Sequence, residues 1–205
     1  KFLLFEKGNS INPDLCDDFK IIGCFYNPKT NNIITISLKK IQFWNIFNGK
    51  LIKIFRDLMS EEKLNLEDNT HRFENINNNA INYDLTAFAH DLNYKKLYLG
   101  DSTGRIKSFY LETGDLIKQF ESHQTEITDI IYSFKYDYLI TCSTDLIIKF
   151  HQDNQQIKDN NKSIREFELI YEKKKIQIES RIKKIFLRKI VLNEEKGDLI
   201  TCLSN

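Results

Sequence analysis

The phrase Gly-x-Leu-Ile-Lys-x-Phe occurs twice in this chain, at residues 49–55 and again at 114–120. Each copy closes a strand-like pattern with an aromatic side chain, Ile41-Gln42-Phe43-Trp44 before the first and Ile106-Lys107-Ser108-Phe109 before the second. A further echo pairs Leu139-Ile140-Thr141-Cys142 with Leu199-Ile200-Thr201-Cys202, and Ile34-Thr35-Ile36-Ser37 holds the matching place in the first unit. Repetition of this kind constrains the fold more tightly than any local motif, because each unit is one supersecondary element that cannot bury its apolar face without a neighbour.

Tyr98 precedes Ile140 by 42 residues, inside the roughly 40–45 that a four-stranded propeller blade occupies. The intervals from Ile34 to Tyr98 and from Ile140 to Ile200 are 64 and 60 residues. Residues 58–80 and 152–165, Asn-rich and without apolar periodicity, account for the excess and read as loop inserts. The fold class expected over 1–205 is therefore all-β, a partial β-propeller of about four four-stranded antiparallel blades with the first and last incomplete, since rings close with about four to eight blades. Full blades are expected around Trp44, Phe109 and Phe150, an incomplete one from near Arg181, and residues 2–6 as the edge of a preceding blade. The chain opens without an initiator Met and both ends fall in repeat-like sequence, so it is expected to be a piece of a larger chain. The first insert follows a fourth strand and the second a third strand, so the two should open on opposite faces of the arc, where long loops serve as contact surfaces.

Within the best-formed unit, residues 126–133, 138–143 and 147–150 alternate as three successive strands, with Asp145 in the turn before the third and Ser122-His123 ahead of the first. This arrangement resembles the WD-repeat family over nearly the whole chain, with Ser122-His123 where that family carries Gly-His. The resemblance implies a buried hydrogen-bonded set of His, second-strand Ser or Thr, turn Asp and third-strand Trp, which falls here on His123, Ser143, Asp145 and His151, the last replacing the Trp. By composition Ser143, His123 and Asp145 also spell a hydrolase triad. A catalytic serine stands exposed beside an oxyanion hole, whereas the repeat register puts these residues inside a blade, so the set reads as structural and the chain as not an enzyme. The other units depart further: Leu38-Lys39-Lys40 stands where the turn Asp should be in the first, and Thr103 in the second. Trp44 reads as a packed blade residue.

A closer likeness runs from Leu85-Thr86-Ala87-Phe88 through Gly100-Asp101-Ser102-Thr103-Gly104-Arg105-Ile106 to Ser143-Thr144-Asp145 and Phe150-His151-Gln152-Asp153. It resembles the ciliary and flagellar WD-repeat proteins, in particular the subgroup that also carries an EF-hand. What the resemblance implies is a non-catalytic scaffold of the axoneme, with axonemal proteins and tubulin as partners and the cilium or flagellum as location. The alternative is a cytosolic WD-repeat adaptor in a multi-protein assembly such as a ubiquitin-ligase complex.

Composition excludes several other classes. No apolar run approaches the roughly 18 residues of a membrane span. Cys16, Cys24, Cys142 and Cys202 lack C-x-x-C spacing and read as buried, reduced thiols. The four His residues show no zinc-ligand spacing, residues 193–198 lack the alternating carboxylates of an EF-hand loop and read as a hairpin turn, and Gly100 and Gly104 are not followed by Lys-Ser/Thr as in a phosphate loop. No metal, cofactor or small-molecule substrate is expected. Net charge is +1, yet residues 158–189 hold eleven Lys or Arg against five acids. Lys173, Lys174, Lys175, Lys183 and Lys184 could meet acidic tubulin tails by long-range attraction; the competing reading is a set of basic outward positions on ordinary strands. Nucleic acid is not expected, because no aromatic platform is interleaved with these charges.

Overall fold

The computed structural model describes residues 20–60, 83–153, 165–168 and 186–204, and within them the chain is built of strands. The first sheet runs β1 (Ile21–Asn27), β2 (Asn32–Ser37), β3 (Lys40–Asn45) and β4 (Leu51–Arg56). The second runs β5 (Leu85–His90), β6 (Lys96–Asp101), β7 (Ile106–Tyr110) and β8 (Leu116–Gln119). The third comprises β9 (Ile127–Ser133), β10 (Tyr138–Ser143), β11 (Ile147–Gln152) and β12 (Arg165–Glu168), and the fourth holds β13 (Phe186–Asn193) and β14 (Asp198–Ser204). Each four-stranded sheet is an antiparallel meander in sequence order.

The repeated phrase is now explained by its backbone. Gly49 and Gly114 occupy the left-handed region, with φ of 67° and 80°, at the turn from the third to the fourth strand. In each copy the Gly N–H donates to the carbonyl four residues back, Asn45 at 2.9 Å and Tyr110 at 2.7 Å. A side chain at Gly114 would also meet the Phe55 ring at 3.1 Å. The turns from first to second strand use Asn31, Tyr94, Asp137 and Gly197 at positive φ; residues 194–197 form the hairpin turn expected there.

The sheets pack face to face. β1 lies against β5, β5 against β9, and β9 against β13, so the first strands form the inner ring of an arc. Ile34, Ile36 and Phe43 of the first sheet meet Leu97, Leu99 and Phe109 of the second. Tyr98 and Ile106 meet Ile127, Ile130 and Leu139 across the next junction, and Ile140, Cys142 and Ile148 meet Leu187 and Ile190 across the last. Each fully buried aliphatic side chain contributes about 1.5–3 kcal/mol, which makes the junctions the main source of cohesion. Backbone bonds reinforce them: Leu85 N–H to Leu38 O at 2.8 Å and His123 N–H to Gly104 O at 2.9 Å.

Three details differ from the sequence reading. Leu58 and Met59, assigned to the first insert, are buried, and Met59 O accepts from Lys107 Nζ at 3.1 Å. Gln152 and Arg165, the limits of the second insert, belong to β11 and β12. Cys24 and Cys202 are exposed free thiols rather than buried ones, while Cys142 is buried and free. The reason is position, since Cys142 faces a following sheet whereas Cys24 and Cys202 lie on the outward faces of the first and last sheets. The proposed edge at residues 2–6, Cys16, and the bulk of both inserts lie outside the described residues.

Candidate functional site

Ser143 ends β10, His123 stands four residues ahead of β9, and Asp145 sits in the turn to β11, which places all three at one end of the third sheet. Ser143 Oγ is 2.7 Å from His123 Nδ1 and donates to Asp145 Oδ1. On the other side of the ring, His123 Nε2 is 2.8 Å from Thr141 Oγ1, and Thr141 Oγ1 is 3.1 Å from His151 Nε2. His123, Thr141, Ser143 and His151 are all buried.

Proton counting fixes the direction of this chain. A serine hydroxyl has one proton; with that O–H donating to the Asp145 carboxylate, the bond between Ser143 and His123 must be donated by Nδ1–H. The neutral ring then accepts at Nε2 from Thr141 O–H, and Thr141 in turn accepts from His151 Nε2–H. Both imidazoles are neutral in this scheme. Burial holds them there, lowering the pKa of His123 to about 4 and that of His151 to about 3. For each the desolvation of the charged form is the largest cause, followed by the Lys149 ammonium for His123 and by His123 itself for His151. His151 Nδ1 is left without a partner among the described residues, with the ring edge-on to Phe120 at a centroid distance of 5.4 Å.

The order of contact is histidine, serine, carboxylate. In a hydrolase triad the histidine lies between the other two and the serine faces solvent; here the serine is central and 0% exposed. The arrangement joins the segment ahead of β9 to β10 and the following turn, and through Thr141 it reaches β11. What it does chemically is satisfy buried donors and acceptors.

Thr141 is the member that sequence reasoning missed. A register argument could have found it, because the first sheet repeats the pair: Trp44 Nε1–H donates to Thr35 Oγ1 at 3.0 Å, with Ile33 opposite Trp44 as Leu139 is opposite His151. In the second sheet the turn carboxylate is Asp101, not a residue at the Thr103 place. Its Oδ1 accepts from Thr103 N–H at 2.9 Å, Thr103 O–H at 2.7 Å and Arg105 N–H at 3.0 Å, and its Oδ2 from Arg105 Nε at 2.8 Å. A further polar cluster ties the second sheet to the end of β11. Buried Asp153 Oδ2 accepts from Lys96 Nζ at 2.6 Å and Tyr98 O–H at 2.7 Å; burial and this carboxylate push the Tyr98 phenol far above its ordinary range.

Among the described residues, no three His, Cys, Asp or Glu side chains gather as metal ligands would. Lys173, Lys174, Lys175, Lys183 and Lys184 lie outside the described residues. Trp44 is half-buried.

No family model matches the chain. The sequence is 28% identical over 166 residues to "Cilia- and flagella-associated protein 337 B" of Tetrahymena thermophila, an alignment that covers 81% of this chain and 11% of that protein. The chain thus spans about a tenth of the length of this relative. In shape it is similar to the structure of U3-55K, with a TM-score of 0.54 at 12% identity over 74% of this chain and 40% of that one. It is equally similar to the crystal structure of the RRP9 WD40 repeats, with a TM-score of 0.54 at 13% identity over 74% of this chain and 39% of that one. At such identities the likeness speaks for fold alone, and the fold is that of WD40 propeller blades.

Proposed function

We propose that this chain is part of a non-catalytic WD-repeat scaffold of the ciliary or flagellar axoneme, holding other proteins on or near the microtubule doublets. One observation carries the reading: the likeness to a cilia- and flagella-associated protein extends over 81% of the chain. It is supported by a fold that puts its polar chemistry inside the sheets and leaves turns and rims as contact surface. Tubulin is among the partners the reading allows, through Lys173, Lys174, Lys175, Lys183 and Lys184, and an EF-hand elsewhere in the full-length protein would join it to the subgroup that the sequence resembles. The test is the location of the tagged full-length protein in a ciliated cell. Signal along the axoneme that survives detergent extraction of the membrane and matrix is the expected result. A purely cytosolic distribution in ciliated cells would refute the reading and favour an adaptor role.

A further inference from the structure

The turn from β3 to β4 holds Asn48-Gly49, the one place in the chain where glycine follows an asparagine. Asn48 is exposed. Its Oδ1 accepts from Lys50 N–H at 2.9 Å. A bond of this kind folds the carboxamide back over its own C-terminal peptide and brings Cγ beside the next backbone nitrogen, here that of Gly49. It also polarises the carbonyl and sets a donor where negative charge would develop on Oδ1 if a nucleophile added to Cγ. The nitrogen itself is unshielded, because Gly49 has no Cβ.

Two neighbours in the structure separate this chemistry from the folding of the turn. The matching turn of the second sheet has Thr113-Gly114, with the same glycine bond to the carbonyl four residues back and Asp115 N–H donating to Thr113 Oγ1 at 3.3 Å. A hydroxyl therefore satisfies the turn, and a carboxamide is not needed for it. Asn45 supplies the opposite comparison. Its Oδ1 accepts from Phe47 N–H at 2.9 Å and from Asn48 N–H at 3.2 Å, so its side chain is folded forward as that of Asn48 is. The residue after it is Ile46, whose branched Cβ crowds the nitrogen that would have to react.

We infer that Asn48 is a site of spontaneous deamidation through a cyclic imide, a slow modification that changes the rim of the first sheet. Gly49 N–H is held by Asn45 O at 2.9 Å, so the reaction begins when this exposed turn opens and releases it. The amide nitrogen gives up its proton and attacks Asn48 Cγ; the new C–N bond closes the ring, the bond from Cγ to the side-chain nitrogen breaks, and ammonia leaves with the proton. Water then adds to one of the two imide carbonyls. Opening at Cγ gives aspartate, and opening at the backbone carbonyl gives isoaspartate. Aspartate keeps an oxygen for Lys50 N–H and adds a negative charge beside Phe47, which is 73% exposed. Isoaspartate lengthens the main chain by a methylene and misaligns the bonds that close the turn, Gly49 N–H to Asn45 O and Asn45 N–H to Lys50 O. The inference stands apart from the scaffold reading and from where the scaffold works.

The experiment holds the full-length protein at neutral pH in heavy-oxygen water and then digests it with trypsin in ordinary water. Cleavage after Lys40 and Lys50 releases residues 41–50, which carry both Asn45 and Asn48. Conversion in the folded protein takes its new oxygen from the heavy water and is so distinguished from conversion during digestion. Mass-spectrometric fragmentation should place the labelled acid at Asn48, at least about tenfold ahead of Asn45, with both aspartate and isoaspartate present. Asn48→Thr, which copies the turn of the second sheet, should lose the product entirely and keep the thermal midpoint. If that variant fails to fold, Asn48→Gln takes its place: the added methylene sets the carboxamide out of line for ring closure, and conversion should fall at least about tenfold. Product that carries no label, equal conversion at Asn45 and Asn48, or an Asn48 amide that persists while Asn31 or Asn93 converts, overturns the inference.

Discussion

Where the third strand of each sheet packs beside the second, the second sheet holds Leu99 and Phe109, and the third holds Thr141 and His151, all four buried. The backbone register is shared, for Leu97 faces Phe109 as Leu139 faces His151. The second sheet fills the space with apolar volume and asks nothing of its neighbours. The third fills it with polar atoms, which need partners in a low-dielectric interior, and all but His151 Nδ1 have one among the described residues. The consequence is a relay from His151 through Thr141, His123 and Ser143 to Asp145, which enlists the segment ahead of β9. The first sheet stands between them, with one part-buried Thr35–Trp44 bond. One backbone thus tolerates apolar or polar filling, but polar filling couples distant segments and apolar filling does not.

The turn after the second strand offers the sharpest way to break this comparison. Gly104 has a φ of +89°, and a Cβ there would lie 2.4 Å from His123 O and 2.7 Å from Thr125 O. Gly104→Ala should cost at least about 3 kcal/mol, from left-handed strain together with a backbone clash that separates the second and third sheets. The matching residue of the third sheet is Leu146, at φ 71°. Leu146→Gly should change stability far less, since relief of strain offsets lost packing. Chemical denaturation of both variants checks the contrast.

Thr141→Val should come next, at about 2–3 kcal/mol, because it leaves the inward nitrogens of two buried histidines unpaired. His123→Ala, which strips partners from Thr141 and Ser143, belongs to the same range of about 1–3 kcal/mol. Thr35→Val in the first sheet should cost less than about 1 kcal/mol, since it breaks one half-exposed bond. If the two threonine changes cost the same, the relay is no more than its separate bonds.

Acid adds a third handle. With folded pKa values of about 4 and about 3 against an ordinary 6.5, His123 and His151 take up protons more readily in the unfolded chain. Their contribution to stability is complete above about pH 6.5 and declines as pH falls, through the window down to about 4 for His123 and about 3 for His151, by up to about 1.4 kcal/mol per pH unit for each histidine. Thermal unfolding across that window should be steeper in pH for the wild type than for His151→Phe, which leaves one of the two histidines.

Much of the architecture was legible because its signals are local. The paired glycines, the aromatic third strands and the 42-residue spacing each depend on a few adjacent positions. What was not legible depends on register between strands. Thr141 looks like any β-branched strand residue until its diagonal relation to His151 is known. Asp101 performs the turn role two residues before the aligned Thr103 because its carboxylate reaches forward over the turn from the end of β6 to Thr103 and Arg105. Leu58, Met59 and Asp153 were hidden at the borders of polar, Asn-rich sequence, where composition says loop and only the neighbouring sheets, through Lys107, Lys96 and Tyr98, make them buried.

The central claim is that side chains with the composition of a hydrolase triad form a static relay inside the third sheet, with both imidazoles neutral. The most direct measurement is the nitrogen chemical shifts of histidine-labelled protein, assigned by mutation and followed from neutral pH down to about 4. The account requires His123 to carry its proton on Nδ1 and His151 on Nε2, with neither titrating until pH approaches 4. A His123 that titrates near 6.5, its ordinary value, or carries its proton on Nε2, would contradict it and reopen Ser143 as a reactive group.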